Sequence, residues 1–478
     1  MASKNISFDE IPSSIRKPGK YFEFNTKLAV RTLPNNKQRM LIIGQRLSAG
    51  SVAALVPTTV FSDAEAADYF GDGSIAHLMV RAAIKAYGYL DLSVIALDDA
   101  AAGVQAEGTV TIGGPATSAG VLTLYVANAK VEIAIASGDA ANDIAAALKA
   151  ELDLHPDLPV TASVASAVVT LTAKNDGPCG NDIGLGYKLT NASGVTATIV
   201  AMADGATNPD IAAALSAVYA EDFNVVVTPF NVQEDLEDLE DHLDSISGPM
   251  EQRPAVGVYG YNGSLAAATT LSNLINSGRI LCTYLRYTAA TPRKSMPCEI
   301  AAAMGAVMCC EEDPARPLDT LELTGIAVPD ITDRLSRTEQ ENLLYNGVTP
   351  IEIVNEEPQI VRAISTYLHN ASGTDDTSLL DITTIRTLDY MRKACRERVA
   401  QRFPREKLSS KTPPKVKAEL LDVLLKLEDL EIVEEVTANK DGLIVERDEQ
   451  DVNRLNAKIP CDVVNGLHIL AGRIDLLL

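Results

Sequence analysis

The chain has 478 residues, 46% of them hydrophobic and 22% charged, ordinary globular usage that excludes wholesale disorder. At roughly 150 residues per domain, this length implies a multi-domain protein. Sixty-four acidic against 41 basic side chains leave a net charge of −23, which repels phosphate backbones and anionic lipid and sets nucleic-acid and membrane-surface roles at a disadvantage.

No signal-peptide pattern opens the sequence, and no apolar run approaches 18 residues; the longest candidate, Ala301 to Cys310, reads as a buried small-residue helix. The cysteines (Cys179, Cys282, Cys298, Cys309, Cys310, Cys395 and Cys461) form no CxxC pair and read as buried, reduced residues of a protein made in a cytosol.

Residues 1–46 carry nine basic side chains against three acidic ones, a basic arm on an acidic body. Phe22, Phe24, Thr26, Leu28 and Val30 alternate with polar positions, which predicts a strand with one buried face rather than a base-stacking surface. A central strand is expected at Met40 to Ile43. Ser62 with Glu65 fits a helix-capping box, an apolar-periodic helix covers Ile75 to Tyr87, and Leu92 to Leu97 is a short apolar strand. This rhythm indicates an α/β core.

The texture changes near residue 104. Up to about Gly205 the chain is rich in Thr, Val, Ala, Gly and Ser. Strands are predicted at Gly108 to Ile112, Val121 to Val126, Lys130 to Ile135, Val160 to Ser163, Val168 to Ala173 and Val195 to Met202, with one helix at Ala140 to Leu152. A β-rich domain inserted into the α/β core accounts for the pattern.

The core rhythm resumes with a helix at Ile211 to Tyr219 and a strand at Asn224 to Pro229. In Glu234 to Asp244, Leu236, Leu239 and Leu243 make an apolar stripe, so the acidic residues are expected to form a solvated face. Strands at Ala255 to Tyr259 and Ile280 to Tyr284 alternate with helices at Leu265 to Ile275 and 299–310. These near-continuous apolar strands predict a mostly parallel sheet covered on both faces. A helix opened by Thr338 and Glu341, a strand at Ile351 to Val354, a basic helix at Ile382 to Phe403, a Pro-bearing linker at Leu408 to Val416 and a charged helix at Lys417 to Leu427 follow. The tail alternates in strand fashion, with Leu470, Ile474, Leu476 and Leu478 in one parity. An apolar strand there is a liability unless another strand covers it, and the N-terminal strand shares that property. Two such ends suggest strand pairing between copies.

No Walker A, GxGxxG, HExxH, EF-hand or GxSxG pattern occurs, and the histidines (His77, His155, His242, His369 and His468) are scattered singly. Neither a catalytic residue, a metal site nor a cofactor is expected.

The segments RKPGKYFEFNTKLAVRTLPNNKQRMLIIGQR, TTVFSDAEAADYFGDGSIAHLMVRAAIKAY, the inserted GTVTIGG through NDGPCGNDIGL, and NKDGLIVERDEQDVNRLNAKIPCDVVNGLHILAGRIDLLL together resemble the tail sheath proteins of contractile-tailed bacteriophages, most closely the Mu-like branch. The resemblance covers most of the chain and rests on the order and joint presence of these segments. It implies an α/β sandwich core of subtilisin-like fold without protease activity; the GTSMA and HGT segments of such a protease are missing here. It also implies a helical homopolymer of stacked hexameric rings around a tail tube protein, with baseplate and tail terminator partners, no nucleic acid and no membrane insertion. Such a sheath belongs to the virion, is assembled in the host cytoplasm and contracts on energy stored at assembly.

The expected division is an N-terminal arm at 1–35, an α/β core at 36–103 and 208–457, an inserted β-rich outer domain at 104–207 and a C-terminal arm at 458–478. The arm strands expected to pair with neighbouring copies are Tyr21, Phe22, Phe24, Thr26, Leu28 and Val30 at one end. At the other they are Leu467, Ile469, Leu470, Ile474, Leu476 and Leu478. Pro18, Gly19 and the loop before Ile459 are their expected flexing points. The basic helix at 382–403 is a candidate tube contact, against the plainer reading of a packed helix with a solvated face. Alternatives are the sheath of a phage-derived bacteriocin or injection particle, and a cytosolic α/β enzyme whose insertion is a lid over a cleft of perturbed groups.

Overall fold

A computed structural model describes residues 16–22 and 33–476. They divide into two compact units. The larger takes residues 36–390, 431–434 and 462 onward; the smaller takes 391–430 and 435–461 with the described residues before 36.

In the larger unit β1 (Met40–Gln45) is buried along its whole length. The two-residue β2 (Thr58–Thr59) follows, then α1 (Asp63–Phe70) and α2 (Ile75–Ala86). Ser62 and Glu65 open α1: the Ser62 hydroxyl accepts the Glu65 N–H, and the Glu65 carboxylate accepts Phe61 N–H. The next helix has its own cap in Ser74, whose hydroxyl accepts His77 N–H. Strand β3 (Leu92–Leu97) pairs parallel to β1.

Between residues 104 and 206 lie β4 (Gln105–Gly113), β5 (Gly120–Val126), β6 (Ala129–Ile135), α3 (Ala141–Leu152), β7 (Val160–Ala165), β8 (Val168–Asp176), β9 (Leu185–Thr190) and β10 (Thr196–Ala203). They form two antiparallel sheets, ordered β10-β4-β8-β7 and β6-β5-β9. Strands β4 and β8 alternate buried and solvent-facing residues, as sheets with one covered face do. Ile144, Leu148 and Leu152 of α3 are buried in this part of the core.

The main sheet is completed by α4 (Ile211–Ala217), β11 (Val225–Val227), α5 (Gln233–Ser247), β12 (Val256–Tyr261), α6 (Leu265–Ile275), β13 (Ile280–Tyr284), α7 (Pro297–Cys310), α8 (Arg337–Tyr345), β14 (Val348–Val354) and β15 (Glu357–Ile360). Its eight strands run β15-β14-β13-β12-β11-β1-β3-β2, parallel except where β15 and β2 close the two edges. The fold is therefore the expected mixed α/β, multi-domain one with a mostly parallel sheet. Helices cover both faces: a side chain at Gly257 would meet Leu239 and Leu243 of α5, whereas one at Gly260 would meet Pro297 of α7. Helix α7 is buried on every side but its last residue, as a sequence apolar but for Glu299 requires, and that carboxylate accepts Met296 N–H at the helix start. Its Gly305 lets the helix approach β11, since a Cβ there would stand 2.5 Å from Val227.

Three expectations are corrected. The acidic face of α5 is only partly solvated: Asp235 is buried and accepts a 2.6 Å hydrogen bond from Asn208, because the loop before α4 packs over that side of the helix. Helix α8 is opened by Ser336 and Glu339 rather than Thr338 and Glu341, two residues earlier. In the smaller unit the linker read at Leu408 to Val416 is half helix. Helix α9 (Ile382–Arg402), shared by the two units, is followed by α10 (Thr412–Asp429), whose Pro413 and Pro414 lie in its first turn, where no N–H bond is lost. The short α11 (Val436–Asn439) and the antiparallel hairpin β16 (Ile444–Arg447) and β17 (Leu455–Lys458) complete the smaller unit.

Candidate assembly interface

The sequence selects the chain's two ends, and most of their described large apolar side chains face solvent. Tyr21 is 42% and Phe22 88% exposed. Phe24, Thr26, Leu28, Val30 and Leu478 lie outside the described residues. Leu467, Ile469, Leu470, Ile474 and Leu476 are each at least 80% exposed, and residues 464–476 belong to no strand of their own chain. A run of large apolar side chains turned outward costs hydrophobic free energy, about 1.5–3 kcal/mol for each Leu or Ile left uncovered.

The C-terminal segment leaves the larger unit from a backbone ladder, Glu434 N–H to Asp462 O at 2.9 Å and Val464 N–H to Ile432 O at 3.3 Å. Four residues on, His468 turns inward between Asp319, 2.5 Å from its Nδ1, and Asp381, 3.5 Å from its Nε2. Arg362 holds Asp381 in turn with two hydrogen bonds of 2.8 and 2.7 Å.

An apolar groove lies in the smaller unit. The hairpin of β16 and β17 has only two strands, a form that is marginal in water without further cover. Beside it a groove of about 430 Å³ is lined by Val399 and Phe403 of α9, Val416 and Leu420 of α10, and Leu455 and Ala457 of β17. Its frame is fixed by charge: Arg398, 3% exposed, holds Asp422 at 2.5 Å and Glu419 at 3.2 Å. Asp422 also takes Lys426 at 2.8 Å. In the larger unit Arg386 of the same basic helix donates to the Met308 and Glu311 carbonyls at the end of α7. These arginines hold the fold together.

Burial pushes the Cys282, Cys309 and Cys310 thiols up to about 12 and Cys395 to about 11. A cleft of about 840 Å³ beside α1 and α2 is lined by Asp63, Asp68, Asp72, His77, Arg81, Asp157 and Lys174. Gly73 N–H donates to His77 Nδ1, so Nε2 carries the proton and donates to Asp63. Burial, aided by Arg81, lowers the pKa of that ring. Lys174 donates to the Asp72 and Pro156 carbonyls, and Arg81 pairs with Asp157 at 2.9 Å. The cleft thereby ties the inserted strands to α2. No group of three or more His, Cys, Asp or Glu that could hold a metal occurs among the described residues. No described helix is long and apolar enough to cross a membrane.

An α/β body with exposed apolar side chains toward both ends has the build of an assembly subunit. Two family models match the chain, the phage tail sheath protein central domain at residues 204–366 and the phage tail sheath C-terminal domain at 374–476. The Mu-like prophage FluMu tail sheath protein of Haemophilus influenzae is 34% identical, covering 99% of this chain and all of that relative. Among solved structures, sheath tail proteins from Desulfitobacterium hafniense (TM-score 0.52, 14% identity, 94% of this chain and 97% of that one) and Listeria innocua (TM-score 0.51, 13% identity, 92% and 94%) share the fold. So does a chain of the anti-feeding prophage baseplate in its contracted state (TM-score 0.51, 14% identity, 97% and 99%). The chain belongs to the Mu-like phage tail sheath family, and its role is that of a structural sheath subunit.

Proposed function

We propose that copies of this chain polymerise into hexameric rings stacked around a tail tube, held extended by baseplate and terminator proteins, and that contraction of this sheath drives the tube through the host envelope. The polymer works in the virion after assembly in the host cytoplasm, binds no nucleic acid, inserts in no membrane and catalyses no reaction. The sequence offers no nucleotide motif, so the work is drawn from a metastable lattice whose subunits gain contact on shortening.

The uncovered apolar ends carry this reading. Ile474 at 99% exposure and Phe22 at 88% are tolerable on a protein of the virion only when another copy covers them. The arms pair as strands with the smaller unit of adjacent copies: the edges of the β16–β17 hairpin supply main-chain partners, and the groove beside it takes alternate apolar side chains. The α/β core, subtilisin-like in plan and formed by 36–103 and 208–457, carries the arms 1–35 and 458–478. The insertion 104–207 faces outward, clear of the tube.

Deleting residues 1–30, or residues 467–478, yields a folded, soluble monomer that forms no tubes, while the full chain forms tubes of uniform diameter in negative-stain electron microscopy. Tubes from either truncated protein sink the strand exchange for that arm.

A further inference from the structure

We propose that His468 is the anchor that fixes the root of the C-terminal arm on its own subunit and so sets how far the arm reaches into a second copy of this chain; this rests on the arm reading given above. Around residue 468 the usual order of burial is inverted. His468 is 14% exposed, while its neighbours Leu467 and Ile469 are 82% and 80% exposed. A surface segment packing for hydrophobic gain turns its Leu and Ile inward and leaves the imidazole in water. Here the one polar side chain is inserted, between two carboxylates, and the apolar ones are left facing out.

The socket is built for the ring. Asp319 meets Nδ1 at 2.5 Å, Asp381 stands 3.5 Å from Nε2, and Arg362 fixes the Asp381 carboxylate from behind with two hydrogen bonds. Gly466 lets the backbone lie against the body, since a Cβ there would stand 2.6 Å from Pro317. Beyond the ring the segment has no strand partner up to residue 476.

The anchor shortens the tether. The preceding fixed point is Val464, bonded to Ile432. Measured from Val464, Leu476 can lie up to about 40 Å away, and measured from His468 only about 27 Å, at ~3.3–3.6 Å per extended residue. A tether lengthened in that ratio also lowers the effective concentration of the arm at its target by about twofold, before any loss of direction. The anchor therefore restricts which neighbour an arm can enter and presents the outward Leu and Ile residues in one orientation.

The experiment compares full-length wild type, His468→Ala, His468→Asn and a chain lacking residues 470–478. Hydrogen exchange is read on the unassembled subunit, and tube yield and diameter on the polymer. In His468→Ala, amides 465–469 exchange about tenfold faster, the factor expected for losing one hydrogen bond to a charged group. Tube yield falls at limiting concentration and diameters spread. His468→Asn, whose Nδ2 takes the place of the ring Nδ1, restores both. Asp319→Ala removes the same contact from the body and gives the same outcome should His468→Ala fail to fold. Wild-type yield and diameter from a folded His468→Ala or Asp319→Ala overturn the anchor. Wild-type tubes from the chain lacking 470–478 overturn the arm reading instead.

Discussion

Helix α5 shows how much a single residue's surroundings decide. Burial raises Asp235 to about 6 and Glu240 to about 7, with neighbouring carboxylates adding to the effect. Burial lowers His242 on the same helix to about 4, with Arg253 assisting. An unfolded carboxyl titrates near 4, so between pH ~7 and ~4 the folded chain binds protons at Asp235 and Glu240 that the unfolded chain has lost. Stability contributed by these two groups therefore rises as pH falls through that range. His242 acts the other way: the unfolded ring charges below pH ~6.5 and the folded one does not, so its contribution falls between ~6.5 and about 4. Between pH 8 and 6.5 only the carboxyl contribution operates. The thermal midpoint should rise over that interval, and Glu240→Gln should raise it at pH 8 by the equivalent of about 1 kcal/mol while flattening the slope. Differential scanning fluorimetry across pH 8 to 5.5 checks this, and a midpoint that falls from pH 8 to 6.5 defeats it. The sequence identifies Leu236, Leu239 and Leu243 as the buried stripe because period alone fixes them. It does not reveal Asp235, whose burial depends on Asn208, a residue 27 positions away.

At the scale of elements, legibility follows the strength of the local signal. Strand β13 and helix α6 fall on the residues the sequence selects, since unbroken apolar runs and a serine cap leave no competing reading. The hairpin β16–β17 and strand β9 have no such signal: LGYKLT is buried for two residues and then largely open, and its pairing with β5 crosses about sixty residues of chain. The prolines of α10 mislead for a different reason, because Pro both breaks a helix and begins one. At α8 two capping pairs compete, Ser336 with Glu339 and Thr338 with Glu341. Hydrogen bonds decide for the first: Ser336 Oγ accepts Glu339 N–H, and the Glu339 carboxylate accepts Ser336 N–H. Arg286 also pairs with Glu339 at 2.5 Å and holds its carboxyl at about 2, so the reciprocal bond persists at any working pH. Ser336→Ala should accordingly lower stability by about 1 kcal/mol in urea titration, and Thr338→Ala by at most a few tenths. Equal losses would mean that the cap is shared between the two registers.

At the scale of the whole molecule the question is whether the segment between 104 and 206 is needed by the parallel sheet it interrupts. Strand β3, which precedes it, and β11, which follows it, both pair with β1, so the sheet closes across the interruption without using any inserted strand. The two ends of the insertion already meet: Val104 N–H donates to Ala206 O at 3.0 Å, and Ala206 N–H to Val104 O at 3.2 Å. A short linker between these residues therefore demands no rearrangement, and exchange of material at such a point is thermodynamically mild. Excision removes the contacts of Lys174 and Asp157 with the start and body of α2, those of Ala127 and Asn128 with Lys294, Arg293 and Gly325, and a buried polar seam. Gln45, fully buried, donates to Asp99 and to Asp176 O; Asn175 accepts Ile75 N–H and donates to Arg46 O. Losing the insertion's side of this seam exposes Gln45 and Ile75 N–H to water, so they are resolvated rather than orphaned, and the cost is about 1 kcal/mol for each net hydrogen bond. Replacing 105–205 by a few Gly and Ser residues should leave a folded body with a thermal midpoint a few degrees lower and an undiminished capacity to form tubes, because neither arm nor the hairpin proposed to receive it lies in the excised stretch. Electron microscopy of the excised protein reads both. A chain that does not fold would make the insertion part of the core, and a folded monomer that forms no tubes would make it a lattice contact.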